Sequence, residues 1–265
     1  MIGRVDLESH FDIRFHASME TPLLLMLRPR ACEHQWISQD EFHLSPIVTI
    51  REYQDVHGNR CQRIMVPAGH CRIHGMARVA VPLHPAIDQT LSFTPVEQVP
   101  DAVIPYLLPS RYCESDRLDE LAWRIVGDAP SGYAQVKRIV DWISEQIAYR
   151  PGEGHELISA TEVYSRGYGV CRDLAHLGVG LCRALSIPAR FVSGYLHELE
   201  PMDLHAWFEV WLGEHWHAFD PTQEGKGGDR LVLGVGRDGA DVPIFHQFGP
   251  PLKVESMTFS VSRVP

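Results

Sequence analysis

The spacing of hydrophobic and polar positions changes rhythm twice along this chain. From residue 5 to about residue 99 the rhythm is that of strands. Phe11, Ile13 and Phe15 alternate with polar neighbours, which puts them on one face of a chain with a period of two. Short β-rich runs follow at Ile47-Val48-Thr49-Ile50 and Ala77-Arg78-Val79-Ala80-Val81, with turn signals at His57-Gly58-Asn59 and Pro67-Ala68-Gly69. Regular short strands with no long helical period predict a β-sandwich. Prolines at 95, 100, 105 and 109 then predict a stiff connector.

Beyond the connector the period becomes helical, from near Asp116. Ser131 is placed to cap a helix with the stripe Val136, Ile139, Val140, Ile143 and Ile147, ending by Pro151-Gly152. Thr161 is placed to cap a short helix carrying Val163 and Tyr164 up to Gly167. Leu174, Ala175, Gly178, Leu181, Cys182 and Leu185 recur at three- and four-residue spacing and line one helix face, which Ser186-Ile187-Pro188 stops. Strand rhythm returns at 189–195, 205–211 and 216–219. The expected class is α+β, with an N-terminal antiparallel β-sandwich over residues 1–105 and a second domain over 106–265.

Composition narrows the function. The 265 residues are 45% hydrophobic and 22% charged, as in a globular protein with a sizeable core. A formal net charge of −10 argues against nonspecific nucleic-acid binding, which needs basic surface to displace counterions. No leader-like apolar segment follows Met1, and the run Pro22-Leu23-Leu24-Leu25-Met26-Leu27 falls far short of the ~20 residues that span a bilayer. A cytoplasmic location without membrane contact is the expectation. The six cysteines form no CxxC pair, which fits a reducing compartment. Cys171 and Cys182 share a helix face but stand ~16 Å apart at helical rise, too far for a disulfide.

The chemistry centres on Gly167-Tyr168-Gly169-Val170-Cys171-Arg172-Asp173, a glycine-bearing turn that delivers a cysteine to the first turn of a helix. Unpaired N–H groups and a partial positive charge there favour a thiolate. Downstream, 205–211 and 215–220 read as a hairpin about Leu212 and Gly213. That register pairs Trp207 with Ala218 and Glu209 with Trp216, and sets His205 opposite Asp220 on one face, with Cβ atoms about 4.5–5.5 Å apart. Asp220 would then orient the imidazole toward a thiol, completing a nucleophile–base–orienter set.

Tyr168-Gly169-Val170-Cys171-Arg172-Asp173, 187–195, His205-Ala206-Trp207 and Phe219-Asp220-Pro221-Thr222 together, in that order, resemble the transglutaminase-like superfamily. These are papain-related enzymes with a Cys–His–Asp triad. The resemblance covers roughly residues 131–242 and, more loosely, the N-terminal sandwich that bacterial members often carry. It implies a papain-like core with Cys171 as nucleophile, His205 as base and Asp220 as orienting acid. It also implies a peptide or protein carboxamide as substrate, a thioester intermediate and no cofactor. Animal transglutaminases carry Trp where this chain has Arg172, and their calcium-site segments are not apparent here. Arylamine acetyltransferases share the triad logic, but the residues flanking Cys171 do not fit their pattern. The backbone N–H of Cys171 is the expected first oxyanion donor. Tyr149, Trp142, Tyr168 and Trp207 are the candidates for the second donor or for substrate contact, and Trp207, Trp211 and Trp216 for walling the cleft against water, although packing alone would also explain these three.

Blander readings stand beside these. A lone helical cysteine is usually a small core hydrophobe, which suits Cys182. Asp220 before Pro221 is a common turn former, and Asp173 a charge that favours its helix start, with Arg172 as its partner. The run 236–241 reads as a loop beside the site. His215 and His217, or Cys61, His70, Cys71 and His74, lack the paired spacing of structural zinc, so no metal is expected. Glu209 with Asp220 as a glycosidase pair has no other support. Against the enzyme stand a noncatalytic interaction module that kept the fold and a true crosslinking transglutaminase. Hydrolysis is favoured over crosslinking because no acyl-acceptor site is recognisable.

Overall fold

A computed structural model describes residues 3–83, 87–152, 156–223 and 228–264. The N-terminal strands are β1 (Arg4–Ala17), β2 (Thr21–Leu25), β3 (Trp36–Ser45), β4 (Ile50–Gln54), β5 (Arg60–Val66) and β6 (Gly69–Pro82). The alternation at Phe11, Ile13 and Phe15 points these side chains inward from β1, where they meet Leu23, Leu25, Ile64, Val66 and Ile73. Ile47, Val48 and Thr49 lie before β4, in the connection from β3, so that predicted strand contributes only its last residue. The proline-rich connector carries two 3₁₀ turns, Val96–Gln98 and Ile104–Leu107.

Four helices and the remaining strands follow: α1 (Asp119–Val126), α2 (Tyr133–Gln146), β7 (Ala148–Tyr149), α3 (Ala160–Arg166), β8 (Tyr168–Gly169), α4 (Cys171–Ala184), β9 (Ala189–Leu196), β10 (His205–Leu212), β11 (His215–Phe219), β12 (Arg230–Gly236), β13 (Phe245–Gln247) and β14 (Lys253–Val264). The α2 stripe at Val136, Ile139, Val140, Ile143 and Ile147 is buried throughout. The caps differ by one or two residues from those read in the sequence. Gly132, at φ 107°, caps α2 one residue after Ser131, and Ser159 caps α3 two residues before Thr161.

The predicted single apolar face of α4 understates its position. Every residue from Asp173 to Arg183 is buried, because helices cover one side of α4 and the sheet β11-β10-β9-β12 covers the other. Phe208 of β10 packs on Gly178, where a Cβ would come within 2.5 Å of the ring. Glycine is needed to let helix and sheet approach that closely. The buried Arg183 guanidinium bonds the carbonyls of Ala189 (2.9 Å) and Leu108 (2.9 Å), tying the end of α4 to β9 and the connector.

The expected boundary at 105/106 does not separate the sheets. Strand β14 pairs with β1 and β13 pairs with β2, so the C-terminus returns to complete both N-terminal sheets, β14-β1-β6-β3 and β13-β2-β5-β4. This pairing joins residues more than two hundred positions apart, which no local periodicity reveals. The two halves also meet at β12, an edge strand of the third sheet. Gln35 bonds the backbone of Val232 through both its amide atoms (2.8 and 2.8 Å), and Asn59 does the same to Val235 (2.7 and 2.9 Å). These side chains satisfy edge groups that would otherwise be unpaired in the interior.

Candidate active site

Cys171 is the first residue of α4, after an extended Val170. The turn that delivers it is held on both sides. Ala148 N–H donates to the Gly167 carbonyl (2.8 Å) and Arg150 N–H to that of Gly169 (2.9 Å), pairing β7 with β8 in parallel. Asp173 then accepts the Val170 N–H (3.1 Å) and the Arg172 Nε–H (2.9 Å), which is the helix-start role and the partner expected for it. The thiol is half-buried at the helix's positive end.

His205 begins β10 and Asp220 follows β11. Their side chains are buried, and His205 Nε2 lies 2.7 Å from Asp220 Oδ2. Nδ1 of the same ring has no hydrogen-bond partner, and the Cys171 sulfur lies beside the ring. Burial by itself would depress the imidazole pKa. The Asp220 hydrogen bond, the Cys171 neighbour and their negative charges outweigh burial and raise it to about 9. Burial would raise the Asp220 carboxyl, but His205, Arg230 and Thr222 together hold it below its ordinary value. Asp220 Oδ1 accepts the N–H (3.0 Å) and hydroxyl (2.7 Å) of Thr222, an Asx turn. Asp220 is therefore turn former and histidine partner at once, with one oxygen for each task.

The hairpin register differs from the expected one by two residues. Glu209 faces Ala218 and Trp211 faces Trp216, with Gly213 and Glu214 as a two-residue turn at φ 54° and 68°. Both central residues of this turn type need positive φ, which Glu214 adopts although glutamate seldom does. A shift of two leaves every side chain on its original face. His205 and Asp220 thus become diagonal neighbours, just beyond the last ladder pair Phe208–Phe219. Diagonal positions about 7–8 Å apart remain within reach of long side chains.

The remaining residues singled out in the sequence divide. Tyr149 is 36% exposed, and burial of its inner part first, then the charges of Cys171, Asp220 and Asp203, push its phenol up to about 12. Tyr168 lies under the Arg150 guanidinium, 4.1 Å from the ring centre, and lines a cleft of about 280 Å³ with Glu156, Arg166 and Val170. Trp142 packs on Tyr164 of α3 (6.0 Å). Trp207 is fully buried beneath His205, with ring centres 6.2 Å apart and planes at 26°. Trp211 packs edge-on against Trp216 (5.4 Å), and Trp216 against Tyr106 of the connector (5.3 Å). These ring contacts give the three tryptophans a packing role on the sheet. Glu209 pairs with Arg190 (2.6 Å) and not with Asp220.

The run 236–241 packs on the flank of α4. Gly239 N–H donates to His176 Nε2 (2.9 Å), and the His176 ring stacks on Tyr112 (5.3 Å) and meets Phe191 at a tilt (4.9 Å). Burial lowers this histidine to about 3, keeping it a neutral acceptor. Cys113 and Cys182 are wholly buried, and burial pushes both thiols up. Among the described residues no three His, Cys, Asp or Glu side chains converge as a metal site. No helix among them is long and apolar enough to cross a membrane.

Two neighbours of Asp220 have roles that the motifs did not assign. Thr222 was legible in principle, since Asp-Pro-Thr is a side-chain turn pattern. Arg230, on β12 with one guanidinium nitrogen 3.7 Å from Asp220 Oδ2, gave no local signal.

Residues 119–221 match the family model of the transglutaminase-like superfamily, and residues 14–81 match that of the bacterial transglutaminase-like N-terminal region. A candidate cysteine protease from Cytophaga hutchinsonii has a solved structure with a TM-score of 0.91 and 31% identity to this chain, over 99% of this chain and 92% of that one. An uncharacterized protein of Mycobacterium leprae is 34% identical over 110 residues, 38% of this chain and 39% of its own. One from Mycobacterium bovis is 32% identical over 176 residues, 60% of this chain and 50% of its own. The matches thus span half or less of these mycobacterial relatives. The chain belongs to the transglutaminase-like superfamily.

Proposed function

We propose that this protein is a cysteine-dependent amide hydrolase or acyltransferase acting on peptide or protein carboxamides, with Cys171, His205 and Asp220 as its triad. The Cys171 thiolate attacks the amide carbonyl carbon and the carbonyl electrons move to oxygen. The backbone N–H of Cys171 at the helix start and the Tyr149 hydroxyl are the oxyanion donors in this reading, and the raised Tyr149 pKa keeps that hydroxyl protonated. As the C–N bond breaks, protonated His205 gives its Nδ1 proton to the leaving amine and a thioester remains. Water, or a second amine, then adds while neutral His205 takes its proton, and the thiolate leaves with acid or new amide as product. Asp220 holds the ring and stabilises the imidazolium.

The observation that carries this reading is the buried His205 Nε2–Asp220 Oδ2 contact of 2.7 Å, which leaves Nδ1 free. A retired interaction module has no physical need for such a pair beside a cysteine. Hydrolysis stands ahead of crosslinking, since water is always present and no acceptor-amine site is apparent among the described residues. Six unpaired cysteines support a reducing compartment such as the cytoplasm as the place of action.

The test is a panel of glutamine-containing peptides incubated with and without a labelled primary amine, using the native chain and Cys171→Ala. Peptide cleavage or ammonia release that Cys171→Ala abolishes supports the hydrolase. Amine incorporation supports the transferase. Full activity in a folded Cys171→Ala variant would sink the assignment.

A further inference from the structure

Asp220 serves two cations. Its Oδ2 accepts His205 Nε2 at 2.7 Å and has a guanidinium nitrogen of Arg230 at 3.7 Å, while Thr222 occupies Oδ1. Arg230 enters from β12, a strand separated from β10 by β9. Its guanidinium carbon also sits 5.7 Å from the centre of the Trp207 ring, whose indole lies nearly parallel to the His205 imidazole. His205, Trp207 and Arg230 thus form a stack, and the carboxylate bridges the two charged members.

We propose that Arg230 is a positioning residue that shares Asp220 with His205, and so sets how firmly His205 holds its proton and where the reaction fails in alkali. Two cations beside one carboxylate repel each other, so Arg230 opposes the imidazolium that Asp220 favours. The same guanidinium keeps Asp220 ionised and fixed, because its planar fork and permanent charge suit a buried carboxylate. Without it, His205 would hold its proton more tightly and be a poorer base for the deacylation step. The other titratable groups facing the pair are Cys171 from α4 and Tyr149 from β7, and Asp203, ahead of β10, faces Tyr149. Asp229 and Glu209 flank Arg230, but each has its own arginine, Arg263 at 2.6 Å and Arg190 at 2.6 Å. Arg230 is therefore the cation that faces Asp220 alongside His205 among the described residues.

The electrostatic part of this inference needs no catalysis, whereas its consequence for rate rests on the proposed triad. The full chain, labelled with ¹⁵N at histidine, would be titrated by NMR, with His205→Gln used to identify the His205 signal. Arg230→Met, which keeps apolar contact with Trp207, should move the His205 midpoint up by about one to two pH units, the size expected for losing one charge roughly 6 Å away at an effective dielectric of about 20–40. Arg230→Lys, which keeps the charge, should leave the midpoint near that of the native chain. The basic limb of kcat/KM should move up with the midpoint in the Met variant. If Arg230→Met does not fold, Arg230→Gln carries the same test. An unchanged or lowered midpoint in a folded variant overturns the proposal, a fall meaning that Arg230 only props Asp220. A midpoint that rises in a protein with no amidase or transferase activity leaves the charge sharing intact and removes the proposed function instead.

Discussion

His205 and Asp220 touch at 2.7 Å without being cross-strand partners. They meet diagonally, past the end of the β10–β11 ladder, where both side chains are buried and Asp220 also anchors the turn into Thr222. Because the contact is fixed by sheet geometry and by a turn, the imidazole has its orientation before any substrate arrives. Preorganisation of this kind is what an acyl-transfer base requires.

Replacing Asp220 by Asn should lower kcat/KM roughly a thousandfold or more by losing the tautomer and charge that fix His205. The residual basic limb should fall from near 9 toward the ordinary histidine value of 6.5. The stability effect has a definite sign. A histidine raised from 6.5 to about 9 on folding contributes stability that is complete below 6.5 and is lost as pH rises through 9, at most about 3 kcal/mol. Urea denaturation should show the variant weakest relative to the native chain near pH 6, with the gap narrowing from pH 6.5 upward and this contribution gone above pH 9. On the acid side the lowered Asp220 pKa contributes stability that is present above the ordinary aspartate value and lost as pH falls through its folded value.

Tyr149→Phe removes one hydroxyl from a partly exposed ring that faces the charges of Cys171 and Asp220. If that hydroxyl donates to the oxyanion, steady-state kinetics should show kcat lower by about tenfold to a thousandfold with KM little changed. An equal kcat would assign the second donor elsewhere.

Cysteine alkylation followed by peptide mass mapping separates the six thiols. Cys32 is exposed and Cys171 half-buried, whereas Cys113 and Cys182 are buried with pKa values pushed up by burial. Native protein should label at Cys32 and Cys171, and at Cys113 and Cys182 only after unfolding. At pH 6 Cys171 should label faster than Cys32, because the start of α4 and the His205 imidazolium face its sulfur. Loss of that preference in His205→Ala would tie it to the imidazole.

Asn59→Leu would strip both side-chain hydrogen bonds from the Val235 backbone and leave buried N–H and C=O groups unpaired. The expected loss is about 2–4 kcal/mol in urea denaturation. Gln35→Leu, which acts on the same strand at Val232, should behave alike. Their double variant should fall short of the sum, since both defects free the same edge.

The sequence by itself determined the elements whose cause is local. Alternation at Phe11, Ile13 and Phe15 made β1, the stripe from Val136 to Ile147 made α2, and Pro188 ended α4 one turn after Ala184. It also determined that Cys171 opens a helix and that His205 and Asp220 share a sheet face, because face depends only on parity and survived a two-residue error in register. Tertiary structure decided the rest. It drew β13 and β14 back to the first sheets, buried α4 from Asp173 to Arg183, buried Trp207 beneath His205 and brought Arg230 to Asp220. Each of these joins residues from strands or helices that local spacing does not relate. Their energy lies in contacts between elements, and only the assembled sheets bring those contacts into being.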